Sequence, residues 1–270
     1  MSLSLPPEIL DLIIDHLHDE PTTLRACCLV SKSWIPRARI HFFNRVEFHS
    51  TGPTIESWTE AFPDPSNSPA HYTRSLHLNN FNTVTVAISD ARPWVHSFNN
   101  IIDLQVVTVG LSDHRISFTQ FHGLSPTLKS LHLFYSFALL SEVLDFICSF
   151  PLLEDLSLCS VRFRAIDNAD KWNDPSTSPK FTGSLLLSGS NHIITRKLLD
   201  LPGGLRFSKI RVRYPIEECN LIQELVSACS DTLESLCVEV YRGASPTGSV
   251  ADQYLISRRR CARAWNAAIA

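Results

Sequence analysis

The sequence predicts an α/β fold in which a short helical unit precedes a stack of parallel strands alternating with helices. Three observations predict it. Seven apolar-x-apolar tripeptides recur at steps of 25 to 29 residues. Between them, apolar residues return at i, i+3 or i+4 and i+7, the spacing of one helix face. Ahead of them, the first 45 residues read as three short amphipathic helices.

Composition sets the bounds. The 270 residues carry 24 Lys+Arg against 27 Asp+Glu, a formal charge of −3. That length can bury roughly 70–75% of the unfolded surface, so a core forms without disulfides or metals. A near-neutral chain has no global field for nucleic acid or for an anionic membrane, and neither is expected as a partner. Charged residues are 19%, below the roughly 25% of soluble domains, so a partner is expected to cover some of the surface. Glu8, Asp11 and Asp15 interrupt the first apolar stretch, which argues against a secretory leader, and no apolar run approaches the ~18 residues of a membrane span. The eight cysteines, Cys27, Cys28, Cys148, Cys159, Cys219, Cys229, Cys237 and Cys261, show no C-x-x-C spacing and fall mostly in apolar segments. They read as reduced, buried small hydrophobes of a cytoplasmic or nuclear protein.

The first helix opens at Leu5-Pro6-Pro7-Glu8, since proline fits a first turn and an acidic residue suits the positive end of the dipole. Ile9, Leu10, Ile13, Ile14 and Leu17 form its broad apolar stripe. Pro21-Thr22-Thr23 starts a second helix carrying Leu24, Cys27, Cys28, Leu29 and Val30. Ser31-Lys32-Ser33-Trp34-Ile35-Pro36 starts a third that runs through Ile40, Phe42 and Phe43. Three such helices cannot bury this much apolar surface among themselves. Some of it needs a partner or the following domain.

The strand cores are Leu76-His77-Leu78, Leu104-Gln105-Val106, Leu131-His132-Leu133, Leu156-Ser157-Leu158, Leu185-Leu186-Leu187, Ile210-Arg211-Val212 and Leu236-Cys237-Val238, with Val46-Glu47-Phe48 as a possible eighth 30 residues earlier. Three positions upstream stand Thr73, Ile101, Leu128, Leu153, Thr182, Phe207 and Leu233, and five of those seven are apolar. The two apolar residues of each tripeptide share a face and point into one core. Each is preceded by a polar residue, so the opposite face begins wet. Helical spacing fills the gaps at Ile55, Trp58 and Phe62; at Trp94, Val95, Phe98 and Ile101; at Val143, Leu144 and Ile147; at Ile193, Ile194 and Leu198; and at Ile222, Leu225 and Val226. Asp200-Leu201-Pro202-Gly203-Gly204 signals a helix stop with glycine free for a left-handed cap. Strand and helix in alternation imply a parallel sheet, either a solenoid or an ordinary doubly wound domain. Residues 62–69 and 170–179 are turn-rich insertions within repeats. Residues 242–270 lack the repeat, and a capping helix or a disordered end both fit them.

The L-x-x-L-x-L pattern resembles leucine-rich repeats, although Phe81, Val109, Ser136, Val161, Ser190, Pro215 and Tyr241 stand where that family often has Asn or Cys. No asparagine ladder can form, so an irregular solenoid is expected. The run LPPEILDLIIDHL followed by LRACCLVSKSW resembles an F-box, covering residues 4–45, and the whole chain is similar to the F-box-like proteins of mushroom-forming fungi. The organisation implied is an F-box at 4–45, a leucine-rich-repeat-like domain at 46–241 and a tail at 242–270. In that family the F-box docks on the Skp adaptor of a Skp–cullin–F-box ubiquitin ligase, and the C-terminal domain holds a protein substrate. By motif position, Leu5, Pro6, Ile9, Leu10, Ile13, Leu29, Val30 and Trp34 are the adaptor-contact residues the resemblance implies, against the alternative that they form the module's own core. It also implies a non-enzymatic subunit. The alternative function is a repeat-based interaction scaffold that binds the adaptor without acting in a ligase.

No other motif competes. The sequence has no G-x-S-x-G, P-loop, H-E-x-x-H, EF-hand or dinucleotide pattern, and nine glycines leave little for phosphate cradles. His16-x-His18 lacks a nearby third ligand, so no metal or other cofactor is expected. Arg258, Arg259, Arg260 and Arg263 read as a solvated face or tail. The substrate surface is expected on the strand face opposite the core, where stacking aligns side chains in columns. His77, Gln105, His132 and Ser157 are its middle candidates, and Lys209, Arg211 and Arg213 put three cations on one strand, suited to an acidic partner segment.

Overall fold

The computed structural model describes residues 6–49, 54–79, 94–107, 118–121, 124, 126–134, 137–163, 179–189, 192–215 and 218–241. Within them the chain is α/β, with one eight-stranded, all-parallel sheet. Its strands are β1 (Arg45–His49), β2 (Ser75–Asn79), β3 (Asp103–Val107), β4 (Ser130–Phe134), β5 (Asp155–Cys159), β6 (Ser184–Ser188), β7 (Lys209–Pro215) and β8 (Ser235–Tyr241), and a separate two-stranded parallel ribbon pairs Phe137–Ala138 with Arg162–Phe163. The helices are α1 (Pro7–Asp15), α2 (Pro21–Val30), α3 (Ile35–Phe42), α4 (Ile55–Ala61), α5 (Leu140–Cys148), α6 (His192–Leu199) and α7 (Cys219–Ala228).

Each tripeptide read from the sequence is a strand, the eighth included. Strand order follows chain order, without the reversal that marks a doubly wound sheet. Register follows the repeat residue by residue: Val46 pairs with Leu76, Leu76 with Leu104, Leu104 with Leu131, Leu131 with Leu156, Leu156 with Leu185, Leu185 with Ile210, and Ile210 with Leu236. These residues share one core with the inward sides of α4 to α7. Helices therefore line one face of the sheet and leave the other to polar columns, an arrangement compatible with a repeat solenoid.

A backbone device repeats at every strand entry but one. The carbonyl of the residue before one strand accepts two consecutive amides from the next repeat. Asn44 takes Arg74 and Ser75, Arg74 takes Ile102 and Asp103, and Ile102 takes Lys129 and Ser130. Lys129 takes Glu154 and Asp155, Gly183 takes Ser208 and Lys209, and Ser208 takes Glu234 and Ser235. Aromatic rings run through the core beneath it. Phe43 meets Trp58 at 5.9 Å, Trp58 meets Phe98 at 5.5 Å, and Trp94 links Phe98 to Phe121. Phe121 then leads to Phe146, and Phe146 to Phe150 at 5.0 Å.

Some expectations are corrected. The helical spacing at 94–101 yields only a 3-10 turn, Trp94–Ser97. The insertion at 62–69 is turn-rich as expected, with a 3-10 turn at Pro65–Asn67 and another, Pro69–Tyr72, starting at its end, each capped by the side chain of the preceding Asp64 or Ser68. In the sixth repeat Phe181, fully buried, fills the core slot assigned to Thr182, which is exposed. Gly204 has φ +65°, as a left-handed glycine should, but it sits in the turn beyond α6 rather than directly capping it. Among the cysteines, Cys27, Cys148, Cys159 and Cys229 are buried, whereas Cys219 is exposed, and all seven in the described residues are free. The 170–178 insertion, Cys261 and the tail lie outside the described residues.

Candidate functional site

The N-terminal helices build their own small core. Pro7 opens α1, with Glu8 in its first turn. Pro21 opens α2, and the Ser31 hydroxyl accepts from the Ser33 amide at the turn into α3. Ile14, Leu24, Cys27 and Ala38 are buried together, with Leu17, Cys28 and Trp34 packed against them. Asp15, at the end of α1, accepts from Arg37 Nε and Nη2 at 2.5 Å each and lies 2.7 Å from His41 Nε2. The bonds from Arg37 first, and then from His41, hold the Asp15 carboxyl well below the usual carboxylate range. Both partners belong to α3, so this clamp fixes which side of α1 faces inward.

The apolar stripe of α1 is divided by that clamp. Ile14 and Leu17 turn in, and Leu10 is half-buried. Ile9 and Ile13 remain 43% and 44% exposed, and Leu12, which sequence reasoning passed over, is 55% exposed. The signal for Leu12 was present: apolar residues cover more of the helix circumference than one packed face requires. On α2, Leu29 is 85% and Val30 66% exposed. Pro6 is exposed and Trp34 half-buried. Leu5 lies outside the described residues. Of the adaptor candidates, Ile9, Ile13, Leu29 and Val30 thus present apolar surface that the chain itself leaves open.

The strand face opposite the core is the second candidate surface. Its middle column runs Glu47, His77, Gln105, His132, Ser157, Leu186, Arg211 and Cys237 in register. At its N-terminal end a polar network closes over itself. Arg45 donates to His77 Nδ1 at 3.1 Å, which leaves Nε2 as the protonated ring nitrogen, 3.0 Å from Ser75 Oγ. Ser75 in turn donates to Asp103 at 2.6 Å. His132 Nε2 lies 3.3 Å from the other Asp103 oxygen. Burial opposes the charge on Asp103, but His132, His77 and Ser75 together outweigh it and hold the carboxyl well below its usual range.

His77 and Ser157 are buried, so they build this face without offering surface, and Gln105 and His132 are half-exposed. Lys209 and Arg211 are exposed, while Arg213 is half-buried with Glu239 at 4.0 Å. The three cations share a strand face, but they do not present equally. Buried Cys148 and Cys159 have thiols pushed up by burial to about 12 and about 11, which suits packing rather than nucleophilic chemistry. Among the described residues no group of three or more His, Cys, Asp or Glu is placed to hold a metal ion, and no helix is long and apolar enough to cross a membrane. Compared with models of protein families and with curated proteins, the chain matches none.

Proposed function

We propose that this chain is the substrate receptor of a Skp–cullin–F-box ubiquitin ligase, working in the cytoplasm or nucleus. In this reading α1 to α3 are an F-box docked on the Skp adaptor, and the sheet is an irregular leucine-rich-repeat solenoid that holds a target protein. The observation that carries the reading is the outward apolar set Ile9, Ile13, Leu29 and Val30 on a module that, among the described residues, buries only four hydrophobic residues of its own. Burying such side chains against an apolar partner is worth about 1.5–3 kcal/mol each. A free monomer gains nothing from leaving them in water. Leu12 extends the same surface.

The chain then acts by proximity. It performs no bond-making step. It raises the effective concentration of the target near a loaded conjugating enzyme, a gain that depends on both surfaces engaging at once. The partly exposed strand-face positions Gln105, His132, Lys209 and Arg211 are the target-facing residues in this reading.

The test is co-purification of the full chain with the Skp adaptor and a cullin. The paired change Leu29→Glu and Val30→Glu should abolish adaptor capture while altering folding stability by less than about 0.5 kcal/mol, as expected of exposed positions. Normal capture by the folded variant would overturn the interface. Adaptor capture without cullin would instead favour the scaffold function.

A further inference from the structure

The strand face opposite the core neutralises its own charges except at one place. Arg45 lies 3.9 Å from Glu47, His49 lies 3.4 Å from the same carboxylate, and Asp103 stands between His77 and His132. Asp155 takes hydrogen bonds from the hydroxyls of Ser130 and Ser184 and from the Ser184 amide. Toward the far edge Arg213 has Glu239 at 4.0 Å. Between these groups, on β7, Lys209 and Arg211 are exposed, and neither side chain makes an ion pair or hydrogen bond among the described residues.

Register explains the exception. Ser184 and Ser235 flank Lys209 across the ladder, and Leu186 and Cys237 flank Arg211. Directly opposed side chains are the ones that meet on a sheet face, so neither cation has a carboxylate beside it. Glu239, diagonal to Arg211, turns to Arg213 instead. Residues two apart on a strand share a face, which sets these two cations about 6–7 Å apart. The chain as a whole carries a formal charge of −3, so the surplus of positive charge is local.

We propose that the β7 face binds an extended acidic segment of the target protein, with carboxylates at alternate residues meeting Lys209 and Arg211. Alternate residues of an extended chain repeat at the same spacing as the two cations. The half-buried Leu186 and Cys237 offer apolar contact on either side of Arg211 for the stems of the acidic side chains. The acidic part of the segment belongs over β7, because toward β1 the face holds Glu47, Asp103 and Asp155. Nucleic acid is the poorer occupant, since it needs a longer basic track than two cations and would meet those same carboxylates. The inference rests on the strand face being the target surface, but not on what α1 to α3 bind.

NMR titration of the full chain tests it, with a ten-residue Gly/Ser peptide carrying Glu at two alternate central positions. Amides of 184–186, 209–211 and 235–237 should shift, and raising salt from about 0.05 M to about 0.3 M should weaken the binding. The matched peptide with Gln at those positions should bind about three- to thirtyfold more weakly, the range of two exposed ion pairs. The paired change Lys209→Gln and Arg211→Gln should weaken the Glu peptide by the same range. The paired change Lys209→Arg and Arg211→Lys should retain binding. Both variants change exposed positions and should keep the wild-type amide spectrum elsewhere and capture the Skp adaptor normally. Equal binding of the Glu and Gln peptides on this face overturns the proposal, as does wild-type affinity in the Gln variant. No shift up to millimolar peptide also overturns it, and so does a single-stranded RNA that shifts the same amides at lower concentration. Peptide-induced shifts away from the strand face would overturn the target-surface reading along with it.

Discussion

Gly183 stands where the repeating strand-entry device changes. The Glu154 carbonyl accepts only the Gly183 amide, and the Ser184 amide turns instead to Asp155 Oδ1 at 2.6 Å, with the Ser184 hydroxyl on the same oxygen. A methyl group at residue 183 would strike that carboxylate. Gly183→Ala is therefore expected to cost about 1–3 kcal/mol, the range of an overpacked site, in chemical denaturation. An unchanged midpoint would show that Asp155 moves aside freely. Phe181, two residues earlier, has φ +44°, a left-handed conformation that non-glycine residues adopt at a cost of order 1 kcal/mol. The ring is fully buried and 4.9 Å from Phe207, and that burial offsets the strain. Counting back from Leu185 gives Thr182, because a fixed spacing cannot register this twist. Asp103 carries a pH prediction. Its carboxyl is held below the ordinary value of 3.8 in the folded chain, so its contribution is present above that value and is lost as pH falls beneath it. Thermal melts from about pH 7 to about pH 2 should show a smaller acid loss for Asp103→Asn than for the wild type. Asp15 adds to the same acid limb in both proteins.

At the scale of elements, strands were more legible than helices. A strand core needs only two apolar residues one apart, and its position was repeated eight times, so each copy supported the others. The helical segments had no such cross-check. Trp94, Val95, Phe98 and Ile101 have helical spacing, yet Asn99 and Asn100 follow a single turn, and all four side chains are buried with only Trp94–Ser97 in a 3-10 turn. The front helices were legible as elements but not by face. Which residues of the broad stripe on α1 turn inward is decided by the Asp15 clamp, whose partners Arg37 and His41 lie more than 20 residues away. On α2 the division gives a clean contrast. Leu24→Ala removes a fully buried side chain and should cost about 2–5 kcal/mol. Val30→Ala, at an exposed position, should stay within about 0.5 kcal/mol. Equal losses in urea titrations would mean that Val30 is packed in solution.

At the scale of the whole molecule, the described residues form two cores of unequal size. Among the described residues the larger extends from Val46 to Cys229, and each strand of the eight-stranded sheet is bonded to its neighbours in strand order. The smaller comprises Ile14, Leu24, Cys27 and Ala38, closed by a clamp whose carboxylate is about one-third exposed. One structural link between them is Phe43, directly after α3, edge-on to Trp58 in the larger core. With four buried hydrophobic residues among those described, the small core supplies far less burial than the sheet, and nothing in the backbone bonding of β1 to β8 requires the helices to be intact. Unfolding should therefore proceed in two steps, with α1 to α3 melting first. Differential scanning calorimetry of the full chain should show a small early transition lowered by Ile14→Ala and a large later one lowered by Leu131→Ala, each change leaving the other transition in place. One endotherm displaced as a whole by either substitution would show that the Phe43 contact couples the two cores into a single cooperative unit. If the transitions are separate, a partner that binds Ile9, Ile13, Leu29 and Val30 must raise the early one by mass action while leaving the sheet's own transition where it was, so the same scan reports which surface a partner occupies.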